Sequence, residues 1–97
     1  MKAEVQWSEQ VRDFVAAMAP EPRRKLRAAL RGLAHDKGDL NLLADELLGY
    51  QRLRVGEFRV IYREAFERGV PVRKCLFVER RDVVYEVFRR MVLDDLH

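Results

Sequence analysis

The stretch from Gly49 to Arg63, GYQRLRVGEFRVIYR, constrains the fold more than any other part of the chain. Two runs rich in β-branched and aromatic residues flank Gly56-Glu57, and glycine at the first central position suits a two-residue type II′ turn. The expected product is a β-hairpin in the register Val55–Phe58, Arg54–Arg59, Leu53–Val60, Arg52–Ile61 and Tyr50–Arg63. Alternation puts Leu53, Val55, Phe58, Val60 and Tyr62 on one side. Tyr50, Arg52, Arg54, Arg59 and Arg63, with Ile61 among them, fall on the other. Like charges directly opposite one another, as Arg54 and Arg59 would be, are destabilising. An anion on that face would explain why the guanidinium groups are kept together, because the planar arginine fork matches a phosphate in bidentate fashion. A merely solvated hairpin face would be expected to mix acids among its arginines. On this reading Arg59 is dispensable for stability, and Arg59→Ala should leave unfolding unchanged or slightly harder.

Around the hairpin the periodicities are plain. Lys2–Trp7 alternates as a first strand, with Val5 and Trp7 on one face, and Ser8 suits a helix N-cap. Val11, Phe14, Val15 and Met18 follow at amphipathic-helix spacing. Ala19-Pro20-Glu21-Pro22 is a break, and Pro22 suits the first residue of a second helix. That helix has an apolar stripe of Leu26, Leu30, Leu33 and Ala34, solvent-facing Arg23, Arg24, Arg27 and Arg31, and a stop at Gly38. Asp39–Leu48 is compatible with a short helix or a packed connection. Glu64–Pro71, containing Arg68-Gly69, reads as a polar loop at a hairpin end, and Val72–Glu79 as a further strand. After Asp82, a candidate cap, Val84, Val87, Phe88 and Met91 predict a last helix. The order β-α-α-β-β-β-α is α+β: an N-terminal strand and helical hairpin packed on a small antiparallel sheet, with a C-terminal helix. Ninety-seven residues fit one domain over residues 1–97.

Charge and composition narrow the function classes. Residues 1–49 carry eight basic and eight acidic side chains, while residues 50–97 carry eleven and eight, so the net +3 lies in the half with the arginine face. That localisation points to a nucleic-acid or phosphate partner. With no apolar run near about 18 residues and no charged-then-apolar leader, a cytoplasmic protein without membrane contact is expected. The single cysteine, Cys75, lies in the apolar run Val72–Val78 and is expected to be a buried structural thiol. His35 and His97 are far apart and no Cys/His cluster exists, so neither metal nor cofactor is expected.

Taken with the element order, three stretches resemble the RelE/ParE toxin superfamily, in its RelE-like branch. They are Leu48-Gly49-Tyr50, Arg52–Tyr62 as far as Arg52-Leu53-Arg54-Val55-Gly56 and Phe58-Arg59-Val60-Ile61-Tyr62, and Glu79-Arg80-Arg81-Asp82-Val83-Val84-Tyr85. The resemblance covers essentially the whole chain. It implies a small basic toxin of a type II toxin–antitoxin pair. Such a toxin is a metal-independent, ribosome-dependent mRNA endoribonuclease that enters the ribosomal A site, inhibits translation and is neutralised by a cognate antitoxin protein. ParE-like members share the fold but poison DNA gyrase, and a degenerate member would only bind antitoxin or RNA. The resemblance also implies that Arg59 is the central phosphate-binding arginine and that Arg52 and Arg54 are basic residues of the first strand. One of Arg80 and Arg81 would be a second catalytic arginine, and Tyr85 the tyrosine near the start of the last helix. Arg63 joins the phosphate-binding set by alternation. Two positions depart from the pattern: Glu79 stands where many relatives have histidine, and Tyr50 where some have lysine.

The chemistry suits such residues. RNA is cut without metal when its 2′-hydroxyl attacks the adjacent phosphate, leaving a cyclic phosphate and a 5′-hydroxyl. Fixed cationic donors aimed at the growing negative charge are the largest available effect. Arginine is a clamp and a poor proton acceptor. Proton transfer then falls to Tyr85, Glu57 or Glu79, or to the RNA and ribosome themselves.

Overall fold

The computed structural model describes residues 2–95, so His97 lies outside the described residues. At its centre β3 (Gln51–Val55) and β4 (Phe58–Glu67) pair antiparallel in the expected register from Arg52–Ile61 to Val55–Phe58. Gly56 takes the left-handed backbone, φ 57°, that the first position of a type II′ turn requires. The expected Tyr50–Arg63 pair does not form. β3 begins at Gln51, opposite Tyr62, and the Tyr50 carbonyl instead accepts from the Leu43 N–H at 3.0 Å. Nor is Glu64–Pro71 a loop. β4 runs on to Glu67 and β5 (Val70–Arg80) starts three residues later, leaving only Arg68-Gly69 as the turn. Both turn residues are left-handed, φ 55° and 76°, as a type I′ hairpin demands. Pro71 sits one residue before the first pair to the N-terminal strand, Glu4–Val72, so its missing N–H interrupts no bond there.

The sheet order is β1-β5-β4-β3-β2. The N-terminal strand β1 (Glu4–Trp7) lies parallel to β5, which makes the expected antiparallel sheet a mixed one. At the other edge, Asp39–Leu48 divides into a strand, β2 (Asp39–Leu42), and a 3₁₀ turn over Asp45–Leu47.

Each face of the sheet carries its own core. On one, α1 (Glu9–Ala17), α2 (Pro20–Gly32) and the 3₁₀ turn after it bring Val11, Val15, Leu26, Leu30 and Leu33 onto Leu53, Val60, Tyr62, Cys75 and Val78. Each such side chain contributes about 1.5–3 kcal/mol by leaving water. Ser8 caps α1 as expected, its hydroxyl accepting from the Val11 N–H at 3.2 Å. α2 opens at Pro20, two residues before the expected Pro22. It passes into a 3₁₀ turn at Leu33–His35 and is halted by Asp36 in the left-handed conformation, φ 54°, not by Gly38. Gly38 has another task. With φ 118°, it lets the chain pass where a Cβ would stand 2.7 Å from Leu53 Cδ1. On the opposite face α3 (Val84–Asp95) lays Val84 and Phe88 on Ile61, Phe77 and Leu47.

A β-bulge separates the two halves of the β4–β5 ladder. Ile61 pairs with Phe77 and Tyr62 with Cys75, leaving Leu76 as the extra residue. The Ser8 hydroxyl donates to the Leu76 carbonyl at 2.8 Å, and the Gln10 amide brackets Val78, accepting from its N–H at 2.9 Å and donating to its carbonyl at 2.8 Å. Cys75 is buried, and burial pushes its thiol up to about 12, so it is the structural thiol expected. Among the described residues no helix is long and apolar enough to cross a membrane.

Candidate phosphate-binding site

Four strands bring Asp39, Arg54, Arg59 and Glu79 into one row across the sheet, as successive register partners from β2 to β5. Arg52 stands one row further in, with a side chain 16% exposed and Nη2 3.6 Å from Asp39 Oδ1. The face is therefore not a pure arginine surface, as expected from the hairpin alone. Acids flank the two central arginines, and the row is formally neutral. The Arg68-Gly69 turn by itself would have set Val78 opposite Arg59. The extra residue at Leu76 advances the register by one and puts Glu79 there.

Arg59 is not a side chain waiting in solvent. It is 7% exposed, and its Nη1 donates to the Gly56 carbonyl at 2.8 Å and the Phe58 carbonyl at 2.9 Å. These two carbonyls offset the repulsion from Arg54, and Glu79 is its register partner on the other side. This engagement argues against the expectation that Arg59 is dispensable for stability. Arg54, by contrast, is exposed.

Arg63 does not join this group. It lies four residues along β4, roughly 13 Å away at strand rise, and faces Lys74 across the ladder. Ile61 intervenes, covered by α3 in the same cluster as Tyr50, whose ring meets Phe88 edge-on at 5.0 Å.

Arg80 and Arg81 are separated by the pleat. Arg80 pairs with Phe58, whose ring packs edge-on against Phe14 of α1, so it belongs to the helical-hairpin face. Its Nη2 lies 3.2 Å from Glu57 Oε2, which ties it to the hairpin turn. Arg81, just past the strand, donates its backbone N–H to the Glu57 carbonyl at 2.8 Å. Its side chain is exposed and has no ion pair among the described residues. Tyr85, in the first turn of α3, is half-buried against the Ile61–Phe77 cluster, on the face that carries Arg52, Arg54 and Arg59. Glu79 is half-buried, and its Oε1 accepts from the Arg80 backbone N–H at 3.0 Å. Among the described residues no three His, Cys, Asp or Glu side chains converge to hold a metal ion.

One buried charge was missed. Arg73, 9% exposed, donates Nη2 to Asp36 Oδ1 at 2.7 Å and places Nε 3.6 Å from Glu64 Oε1. The hydrogen bond it donates to Asp36 holds it firmly charged. It tethers the end of the α2 segment to β4 and β5, a structural task. Its place two residues before Cys75, on the same buried face, was the signal that could have found it.

The arrangement thus offers exposed guanidinium groups, Arg54 and Arg81, near an Arg59 held rigid by its own turn, with the carboxylate of Glu79 and the phenol of Tyr85 on the same side. No family model matches the chain, and no curated protein matches it in sequence. Solved structures do match its fold. A YoeB/ParE toxin from Agrobacterium tumefaciens superposes with a TM-score of 0.66 at 16% identity, over 80% of this chain and 98% of the other. The toxin–antitoxin complex RelBE2 from Mycobacterium tuberculosis gives 0.67 at 22%, over 84% and 93%. The archaeal RelE–RelB complex from Pyrococcus horikoshii gives 0.58 at 25%, over 84% and 97%.

Proposed function

On a scaffold that matches RelE/ParE toxin structures over 80–84% of this chain, we propose that the protein is the toxin of a type II toxin–antitoxin pair. Within that class we read it as a metal-independent endoribonuclease of the RelE-like branch, cutting mRNA in the ribosomal A site in the cytoplasm. The observation that carries the reading is the gathering of Arg54, Arg59 and Arg81 at the tip of one hairpin, with Arg52 one row further in. Arg54 and Arg81 reach the scissile phosphate as mobile donors. Arg59, already aimed by two carbonyls, stabilises the developing charge without reorganising, which is where such donors act most strongly. Glu79 and Tyr85 are the groups placed to take the 2′-hydroxyl proton and return one to the leaving 5′-oxygen. Arg63 and Arg80 drop to peripheral RNA contacts.

An antitoxin partner follows from the same reading. Two of the similar structures are toxin–antitoxin complexes, and α3 keeps Val87 and Met91 exposed, with Val83 exposed in the turn just before it. A segment that folds on binding covers such a surface economically.

A second reading has its own support. A neutral row with its central arginine engaged by the turn is a weaker anion site than four free guanidinium groups, and a gyrase poison needs no phosphate clamp. Inducing the protein in a bacterial host separates the two. Translation arrest with transcripts cut inside reading frames supports the nuclease. Loss of supercoiling with intact mRNA supports the gyrase poison, and unimpaired growth with tight antitoxin binding leaves a protein that only binds.

A further inference from the structure

We propose that the outer face of α2, on the side of the sheet away from the hairpin site, is a second nucleic-acid surface that takes the backbone of a single RNA strand. Arg23, Arg27 and Arg31 recur every fourth residue, a step of about 6 Å along the axis, on the scale of one nucleotide of backbone. Like charges at this spacing destabilise a helix. Yet none of the three has an ion pair among the described residues, and neither has Arg12 of α1; of the α2 arginines only Arg24 is paired, with Glu21 at 2.6 Å. Two shallow depressions lie side by side here. Both are lined by Trp7, Arg23 and Arg27; one extends to Arg31 and the other to Arg12, and neither has an acidic side chain in its lining.

Trp7 gives the surface a second chemistry. It is half-buried against the first core, so its indole is fixed in place at the floor of both depressions. Arg12 donates Nη1 to its carbonyl at 3.0 Å. A fixed aromatic ring beside a file of guanidinium groups suits base stacking together with phosphate contact, the combination that holds single strands. An acidic protein segment would also meet the charge. The regular file of arginine forks and the stacking platform favour phosphate and base.

The protein's single tryptophan makes the test direct. The probe is a short 2′-O-methyl oligoribonucleotide, which cannot be cut by 2′-hydroxyl attack, so the result does not depend on the nuclease reading. Binding should quench Trp7 emission. The triple variant Arg23→Ala, Arg27→Ala, Arg31→Ala keeps good helix formers throughout. It should lose the quenching and flatten the slope of log K against log salt by about 2, at roughly 0.7 per lost phosphate contact. Replacing the same three by lysine should keep most of the slope. Oligonucleotide binding with unchanged Trp7 emission and an unchanged slope in the alanine variant would place RNA elsewhere and overturn the proposal. Displacement of the oligonucleotide by polyglutamate at equal charge concentration would overturn it in favour of an acidic protein.

Discussion

Arg59 donates Nη1 to two carbonyls of the hairpin that carries it, and its buried stem fills the tip. Arg59→Ala should therefore cost about 1–2 kcal/mol, the scale of losing charge-assisted hydrogen bonds, read as a lower midpoint in thermal or urea unfolding. Loss of toxicity in that variant would mix two causes. Arg54→Ala separates them: Arg54 is exposed and stands against another cation, so unfolding should hardly change, while toxicity should fall about a hundredfold if it meets the phosphate. Arg68→Ala, at the far turn, should change neither. Alkali tests the buried acids. Burial raises Tyr62 to about 12, and Cys75 likewise to about 12, from ordinary values of 10 and 9. Both are neutral in the fold, whereas the unfolded chain ionises them earlier. Their stabilisation is whole below about pH 9 and is lost as the pH rises toward 12. The melting temperature should fall across that window, less steeply in a Tyr62→Phe, Cys75→Ala variant. The buried thiol was legible because the residues that follow it, Leu76, Phe77 and Val78, are apolar. The engagement of Arg59 was not, since nothing local distinguishes an arginine that bends back to its own turn from one that projects.

Among the elements, the hairpin was legible because turn chemistry and alternation both act within a dozen residues. The β4–β5 ladder was not. Its register depends on the Leu76 bulge, and that bulge is held by Ser8, 68 residues away. Its outer end was misread as a loop because a ribbon that runs past the core has no need of apolar residues on either face; Phe66 there is 76% exposed. β2 escaped for a related reason, as a four-residue edge strand rich in Asp and Asn is weakly patterned. Ser8 therefore serves two elements at once, capping α1 and satisfying the bulge. Ser8→Ala should cost about 1–2 kcal/mol, at the upper end of what a cap alone gives. Amide exchange should show the loss at the α1 start and at Cys75–Val78 together. Exchange that quickens at α1 alone would mean the bulge stands without it.

At the scale of the molecule, two basic surfaces lie on opposite sides of one sheet, the hairpin tip on one and the α2 file on the other. A body only 22 Å through its shortest extent can be gripped from both sides within a nucleic-acid cleft. If the chain acts on the ribosome as proposed, disabling either surface should weaken ribosome association without abolishing it, and disabling both should abolish it, as measured by cosedimentation at moderate salt. On the proposed toxin reading, the parallel pairing of β1 with β5 bears on when the protein would become harmful to the cell that makes it. Glu4 waits for Val72, and Ser8 waits for the bulge at Leu76 that sets Glu79 beside Arg59. While the chain is still being synthesised, its first third has no sheet to join and its arginine row has no fourth strand. Nascent chains arrested before residue 70 clears the exit tunnel should stay protease-sensitive from Lys2 to the hairpin. If an antitoxin neutralises this chain as proposed, the interval in which it can be made ready ends only when the last strand emerges.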